Sequence, residues 1–203
     1  MPLVSCLLHV VTRAEFHGLE RVPRNGPLLI VCNHLGHLDP PLVAAGLPVR
    51  PELIAASEVM EVPVVGWALR QYGAIPVKRG DVDREVIGRA LTILESGGIL
   101  GLAPEGRESP TGALIEGKVG PAYLAMKTCS PILPMAITGT KNAWQAIRRG
   151  RRPRVTLTVG EAFRLPPLPP PGPARKAALR DATETIMRRI AALLPEEYRG
   201  VYG

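Results

Sequence analysis

The strongest constraint on this chain is an alternation of short apolar runs with amphipathic stretches that end on glycine. Leu28–Cys32 (LLIVC), Glu52–Ala56, Ala74–Val77, Ile99–Ala103 and Ile132–Ile137 read as buried strands. Between them, helices are predicted from Asp39 to about Ala45, over Val64–Tyr72, over Asp83–Ser96 and over Val119–Thr128. Asp39 followed by Pro40 and Pro41 reads as an N-cap with proline at the first helical position, and Gly46 and Pro48 end that helix. In the third helix Val86, Ile87, Ala90, Leu91 and Leu94 share one face, with Gly97-Gly98 as terminator. Gly73 closes the second. The pattern predicts an α/β fold with a mostly parallel central sheet flanked by helices. Ligands of such sheets gather beyond the carboxyl ends of the strands. That directs attention to loops 33–39, 78–82, 104–118 and 138–142.

The 203 residues fit one domain spanning 1–203, and 46% hydrophobic residues suffice for a full core. Val155–Val159 (VTLTV) alternates like a strand at the sheet edge. Residues 166–173 are proline-rich and read as a stiff connector. A last helix is expected over 174–195, with Leu179, Ala182, Ile186, Ile190 and Leu193 at core-facing spacing. Residues 1–15 open with an apolar stretch, Met1 to Val11, well short of the roughly 20 residues a spanning helix needs. That stretch lacks the basic start and small-residue cleavage site of a signal peptide. It reads equally as a core helix or as a helix lying in a membrane interface.

A net charge of +7 favours anionic partners. Much of the excess lies in one run: Arg148, Arg149, Arg151, Arg152 and Arg154. Aromatics make up only 4% of the chain, too few for a platform that stacks single-stranded nucleic acid. The 3 cysteines, Cys6, Cys32 and Cys129, are scattered and odd in number, which fits a reducing, cytoplasmic setting rather than a disulfide framework.

The sharpest local feature is Asn33-His34-Leu35-Gly36-His37-Leu38-Asp39, directly after a buried strand. A histidine and an aspartate five apart do not share a helix face, but a strand-to-helix loop can fold back and join them. Asp39 would then fix the His34 tautomer and strengthen the other ring nitrogen as a base. The spacing is also that of an N-cap aspartate beside an ordinary loop histidine. A metal site built on His34, His37 and Asp39 is disfavoured by ligand supply, since none of the 4 histidines lies beyond residue 37. His37 reads as a neighbouring or surface histidine. Gly112 to Lys118 has phosphate-loop spacing but continues with Val119 where such loops need Ser or Thr. No serine stands in a GxSxG frame. Cys32 ends an apolar strand and reads as packing.

Asn33-His34 with Asp39 resembles the first motif of the glycerolipid acyltransferases, the 1-acylglycerol-3-phosphate acyltransferase family. Further blocks follow in the same order. Gly73-Ala-Ile-Pro76-Val-Lys78-Arg79 resembles the second motif, and Ala103-Pro104-Glu105-Gly106 the third. Gly117-Lys118-Val-Gly120-Pro-Ala122 is similar to the basic segment after it, and Ile132-Leu133-Pro134-Met-Ala-Ile137 to the fourth. The likeness runs from about Phe16 to Thr140. It departs after Gly106: the family usually continues with threonine then arginine, whereas this chain has Arg107 and Glu108.

The resemblance implies His34 and Asp39 as the catalytic pair. It implies Arg79 and Lys118, with Arg107 as a third candidate, at the acceptor phosphate. Glu105 is expected at acceptor hydroxyls and Gly106 where backbone approaches the ligand. The implied reaction moves a fatty acyl chain from acyl-CoA or acyl-carrier protein to the hydroxyl of lysophosphatidate or a related phosphate-bearing acceptor, giving phosphatidate. The thioester enters as co-substrate, with no resident cofactor and no metal. The expected setting is the cytoplasmic face of an anionic membrane, held peripherally, with no nucleic-acid partner. The alternative is a basic binding module for anionic lipid or nucleic acid carried by Arg148–Arg154.

Overall fold

A computed structural model describes residues 8–56, 61, 75–77 and 84–203. Among these residues seven strands form one sheet: β1 (Arg13–His17), β2 (Leu28–Cys32), β3 (Glu52–Ala56), β4 (Ile75–Val77), β5 (Ile99–Leu102), β6 (Ile132–Thr138) and β7 (Arg154–Val159). Their order is β1-β7-β6-β2-β5-β3-β4. Every neighbouring pair is parallel except β6 with β7. The α-helices are α1 (Asp39–Gly46), α2 (Arg84–Glu95), α3 (Gly120–Thr128), α4 (Ala143–Arg148) and α5 (Pro173–Ala191). The α/β fold with a mostly parallel sheet and flanking helices is thus the one expected.

The pleat explains the two cores. Successive side chains of β2 and β6 point to opposite faces. Leu29 and Val31 join Ile132 and Ala136 beneath residues of α2, α3 and α5. Leu28 and Ile30 join Leu133, Met135 and Ile137 beneath Leu42 and Val43 of α1. Both strands are therefore apolar nearly throughout, the mark of a sheet covered on both faces. Each such side chain, taken fully from water, stabilises the fold by roughly 1.5–3 kcal/mol.

Two expectations need correction. Residues 1–15 do not form one helix: 8–11 are helical, and 13–17 are β1. β1 pairs in parallel with β7, from Arg13 opposite Arg154 to His17 opposite Thr158, so β7 is not an edge strand. Phe16 packs against Gly46, where a Cβ would stand 2.2 Å from the Phe16 ring. The basic run begins on a helix, α4. The expected helix over Val64–Tyr72 and loop 78–82 lie outside the described residues. Residues 166–170 carry no regular secondary structure, and α5 starts one residue before the expected 174–195 and ends at Ala191. Among the described residues no helix is long and apolar enough to cross a membrane.

Candidate active site

β2 lies between β5 and β6, so its carboxyl end meets theirs. Three loops therefore converge: 33–38 after β2, 103–119 after β5 and 139–142 after β6. Asn33 extends the pairing one step beyond β2. Its side-chain Nδ2 donates to Ile137 O at 2.9 Å, and its Oδ1 accepts from Ile137 N–H at 2.7 Å. The chain then leaves the sheet plane, and His34 begins the turn.

The turn is organised around the Asp39 carboxylate, which is buried at 3% exposure. Oδ2 accepts from His34 Nδ1 at 2.7 Å, from Leu35 N–H at 2.6 Å and from Gly36 N–H at 2.9 Å. Oδ1 accepts from the Thr140 hydroxyl at 2.5 Å. Asp39 is consequently not the N-cap of α1. Leu38 holds that position and makes no side-chain cap bond. The reason is that the carboxylate turns back toward loop 34–36 instead of forward along the helix. An ionised carboxylate only accepts, so the shared proton sits on Nδ1 and the His34 Nε2 lone pair is free for chemistry.

A second carboxylate braces the same loop from the other side. Glu105, 1% exposed, accepts His34 N–H on Oε1 at 2.9 Å and Ile115 N–H on Oε2 at 3.0 Å. Ser109 N–H donates to His34 O at 2.8 Å. Burial pushes the Glu105 carboxyl up, against the lowering effect of its two backbone donors. Burial would push the His34 imidazole down. The Asp39 hydrogen bond and charge, aided by Glu108 and Glu105, overcome it, and the ring ends above the ordinary 6.5.

Glu108 faces the outer nitrogen. Its Oε1 lies 3.9 Å from His34 Nε2 and 3.0 Å from His37 Nδ1. The His37 approach is an ion-pair distance without hydrogen-bond alignment. Glu108 Oε1 thus has no hydrogen bond among the described residues. Arg107 is exposed and makes no ion pair among the described residues. Gly106 turns the loop at φ 69°, a left-handed conformation that suits glycine. Lys118 passes over it: a Cβ at Gly106 would stand 3.5 Å from Lys118 Cγ, and Lys118 N–H donates to Pro104 O at 2.8 Å. The structure therefore gathers His34, Asp39, Glu105, Gly106, Arg107 and Lys118 around one strand end. Arg79 lies outside the described residues.

An open cavity bordered by His34 and Asp39 lies between α1 and the ends of β2, β3 and β5. Its walls are mainly apolar, with Ile30, Val43, Leu53, Ile54 and Leu102. Cys32 also borders it. Burial and the Asp39 and Glu105 charges push that thiol far up, so it remains protonated and a poor nucleophile. Among the described residues no group of three or more His, Cys, Asp or Glu is placed to hold a metal ion.

The family model described as Acyltransferase matches residues 13–138. The chain belongs to the Acyltransferase family. It is 31% identical over 140 residues to the chloroplastic 1-acyl-sn-glycerol-3-phosphate acyltransferase BAT2 of Brassica napus, which covers 67% of this chain and 40% of the relative. The chain thus spans well under half of that relative's length. It is 27% identical over 198 residues to human 1-acyl-sn-glycerol-3-phosphate acyltransferase alpha, covering 91% of this chain and 69% of that one. In fold it is similar to the crystal structure of the 1-acyl-sn-glycerophosphate acyltransferase PlsC of Thermotoga maritima. There the TM-score is 0.64 at 24% identity, over 90% of this chain and 76% of that one.

Sequence reasoning missed several parts of this site. Thr140 lies in a loop singled out for function, yet nothing in its own residue type announced a bond to Asp39. The signal was Gly139 before it, which turns at φ 80° with the backbone of Arg154 so close that a Cβ would stand 2.1 Å from its carbonyl oxygen. The support from the chain's last residues was also missed: Tyr202 OH accepts Gly117 N–H at 3.1 Å, and Leu114 N–H donates to Tyr198 O at 2.8 Å. The five arginines, read as one basic run, divide in two. Arg152 donates to Thr12 O at 3.0 Å, and Arg154 pairs with Glu15 at 2.8 Å. All five side chains are exposed, but among the described residues only those of Arg152 and Arg154 are tied down in this way.

Proposed function

We propose that this chain transfers a fatty acyl group from a thioester, acyl-CoA or acyl-carrier protein, to the hydroxyl of lysophosphatidate or a closely related phosphate-bearing acceptor, giving phosphatidate. The reading rests on one observation above all: the 2.7 Å bond from His34 Nδ1 to Asp39 at the border of an apolar cavity. His34 Nε2 takes the proton of the acceptor hydroxyl as its oxygen attacks the thioester carbonyl. The new C–O bond forms, the C–S bond breaks, and the proton passes from Nε2 to the departing sulfur. Asp39 stabilises the imidazolium between those two transfers. No acyl-enzyme is needed, and the raised Cys32 thiol argues against one there.

The remaining residues take supporting roles. Arg107 and Lys118 offer the acceptor phosphate two cations near the His34 loop, with Arg79 as the third expected contact. Arginine suits two-pronged phosphate binding, and lysine acts more as a point charge. Glu105 holds the His34 backbone, and Gly106 leaves room for the acceptor. The apolar cavity takes the acyl chain. The protein works at the surface of an anionic membrane on its cytoplasmic side, where acceptor and product reside.

The test is a purified enzyme offered acyl-CoA with lysophosphatidate, glycerol 3-phosphate or a neutral lysolipid, with products read by mass spectrometry. Phosphatidate from lysophosphatidate is expected, and His34→Ala should abolish it. Undiminished turnover by a pure His34→Ala protein would refute the mechanism. Preference for another acceptor would refute the assigned substrate.

A further inference from the structure

Val10, Lys141, Trp144, Arg148, Arg149 and Arg151 come from three stretches of chain that the topology delivers to one place. β6 ends at Thr138, and α4 starts soon after it. β7 runs antiparallel to β6, with Thr138 opposite Thr156, so β7 begins at that same end. β1 is parallel to β7, with Arg13 opposite Arg154, so residues 8–12 arrive there too. This is the end of the sheet at which the loops around His34 converge.

Local contacts draw the stretches together. Arg151 N–H donates to Ala146 O at 2.9 Å, folding the basic turn back beside α4. Arg152 Nη2 bonds His9 O at 2.5 Å and Thr12 O at 3.0 Å, fastening the N-terminal stretch to that turn. Arg13 N–H donates to Pro153 O at 2.8 Å. Trp144 and Arg148 stand four apart on α4 and so share a face. The patch combines charge with exposed apolar surface: Trp144 is 51% exposed and Val10 62%. No aspartate or glutamate occurs anywhere from Gly117 to Gly160, so nothing acidic within that segment neutralises the arginines.

We infer that this surface is where the protein lies on an anionic bilayer. The argument is one of complementary chemistry. Tryptophan favours the boundary between headgroups and acyl chains. Cations near an anionic leaflet are attracted to its surface potential. A nucleic acid would use the arginines but would leave Trp144 and Val10 without a purpose, and that decides between the two anionic partners. Docked in this way, the protein turns the strand ends that carry His34 toward the membrane, where a lipid acceptor can reach them. The orientation rests on the proposed lipid acceptor. The surface itself does not.

The experiment uses vesicles of phosphatidylcholine with and without phosphatidylglycerol, read by co-sedimentation, with duplex DNA as a separate probe. The wild-type protein should sediment with the mixed vesicles and far less with phosphatidylcholine alone. The triple variant R148Q/R149Q/R151Q should lose roughly 100-fold in affinity for the mixed vesicles. Trp144→Ser should weaken binding further in either background. Both variants change exposed side chains, so thermal melts should match wild type, and turnover on a short-chain acceptor dispersed below its critical micelle concentration should be unchanged. Equal vesicle binding by wild type and the triple variant would overturn the inference. So would tighter binding to DNA than to the vesicles, lost in the same variant. Vesicle binding that needs the patch in a protein without transferase activity would support the surface while refuting the proposed function. Transferase activity without vesicle binding would do the reverse.

Discussion

Replacing Asp39 with asparagine separates charge from architecture at the centre of the site. The amide oxygen can stand where Oδ2 stands and accept from His34 Nδ1, Leu35 N–H and Gly36 N–H. The amide nitrogen can then donate to Thr140 Oγ1, which rotates its own proton away. The hydrogen-bond count is kept, so the stability loss should stay below about 2 kcal/mol. Catalysis loses much more. Unit charges roughly 4 Å apart at an effective permittivity of about 20 attract by roughly 4 kcal/mol. The amide dipole retains part of that attraction, leaving a deficit of about 2–3 kcal/mol when the imidazolium forms. At about 1.4 kcal/mol per tenfold, kcat should fall roughly 100-fold. The assay follows thiol release from acyl-CoA, alongside a thermal melt and a pH profile. Because Asp39 is the main influence raising the His34 pKa, the acid limb of kcat/KM should also move to lower pH. A drop smaller than about fivefold in a fully folded protein, with the acid limb unmoved, would refute the reasoning.

Four further predictions come from neighbouring contacts. Because His34 acts as a base only when neutral and its pKa is raised, activity should be complete above its folded pKa and decline as pH falls through it, with the acid limb above pH 6.5. Glu108→Gln removes one of the charges raising it and should shift that limb to lower pH, read from kcat/KM across pH; a shift to higher pH would contradict the assigned electrostatics. Thr140→Val leaves Asp39 Oδ1 without its donor and should lower kcat roughly 5–10-fold, with a stability cost of about 1–2 kcal/mol by denaturant titration. Tyr202→Phe frees Gly117 N–H and should raise KM for the acceptor more than it lowers kcat, because it loosens the loop bearing Lys118 rather than His34; an unchanged KM would show that this anchor is dispensable.

The helix and strand pattern was legible wherever local chemistry and burial agree. β2 and β3 match the sequence reading residue for residue, because each is a short apolar run entered from a proline, and α2 differs by one at each end, because its apolar residues repeat with the helical period. β1 was not legible. RAEFH is mostly half-buried and draws its strand character from the backbone edge that β7 presents, which no local pattern encodes. α4 was hidden for a different reason: only Ala143 among its residues is buried, so no apolar stripe marks it. At the site, residue types and spacing pointed to His34 and Asp39, but not to how they meet. An aspartate before two prolines is what an N-cap looks like, and the competing demand came from three donors upstream and a threonine 101 residues away. Likewise, nothing local could divide the arginines, since the partners of Arg152 and Arg154 lie on the first strand and the turn before it.

The same contacts explain why a histidine on a loop can serve as a base. A loop side chain ordinarily samples several positions, and a misplacement of about 1 Å can cost roughly 100-fold in rate. Here the His34 ring is held by Asp39, its N–H by Glu105, its carbonyl by Ser109, and the residue before it by a two-way bond to β6. Among the described residues Nε2 has no strong partner, the Glu108 carboxylate lying 3.9 Å away. That carboxylate stands two residues after Gly106, in the loop that Glu105 braces. In the proposed reaction, a negative charge beside His34 Nε2 repels an acceptor phosphate brought too close and strengthens the base. The proposal therefore places the phosphate toward Arg107 and Lys118, on the outer side of Gly106, with only the hydroxyl reaching inward to His34.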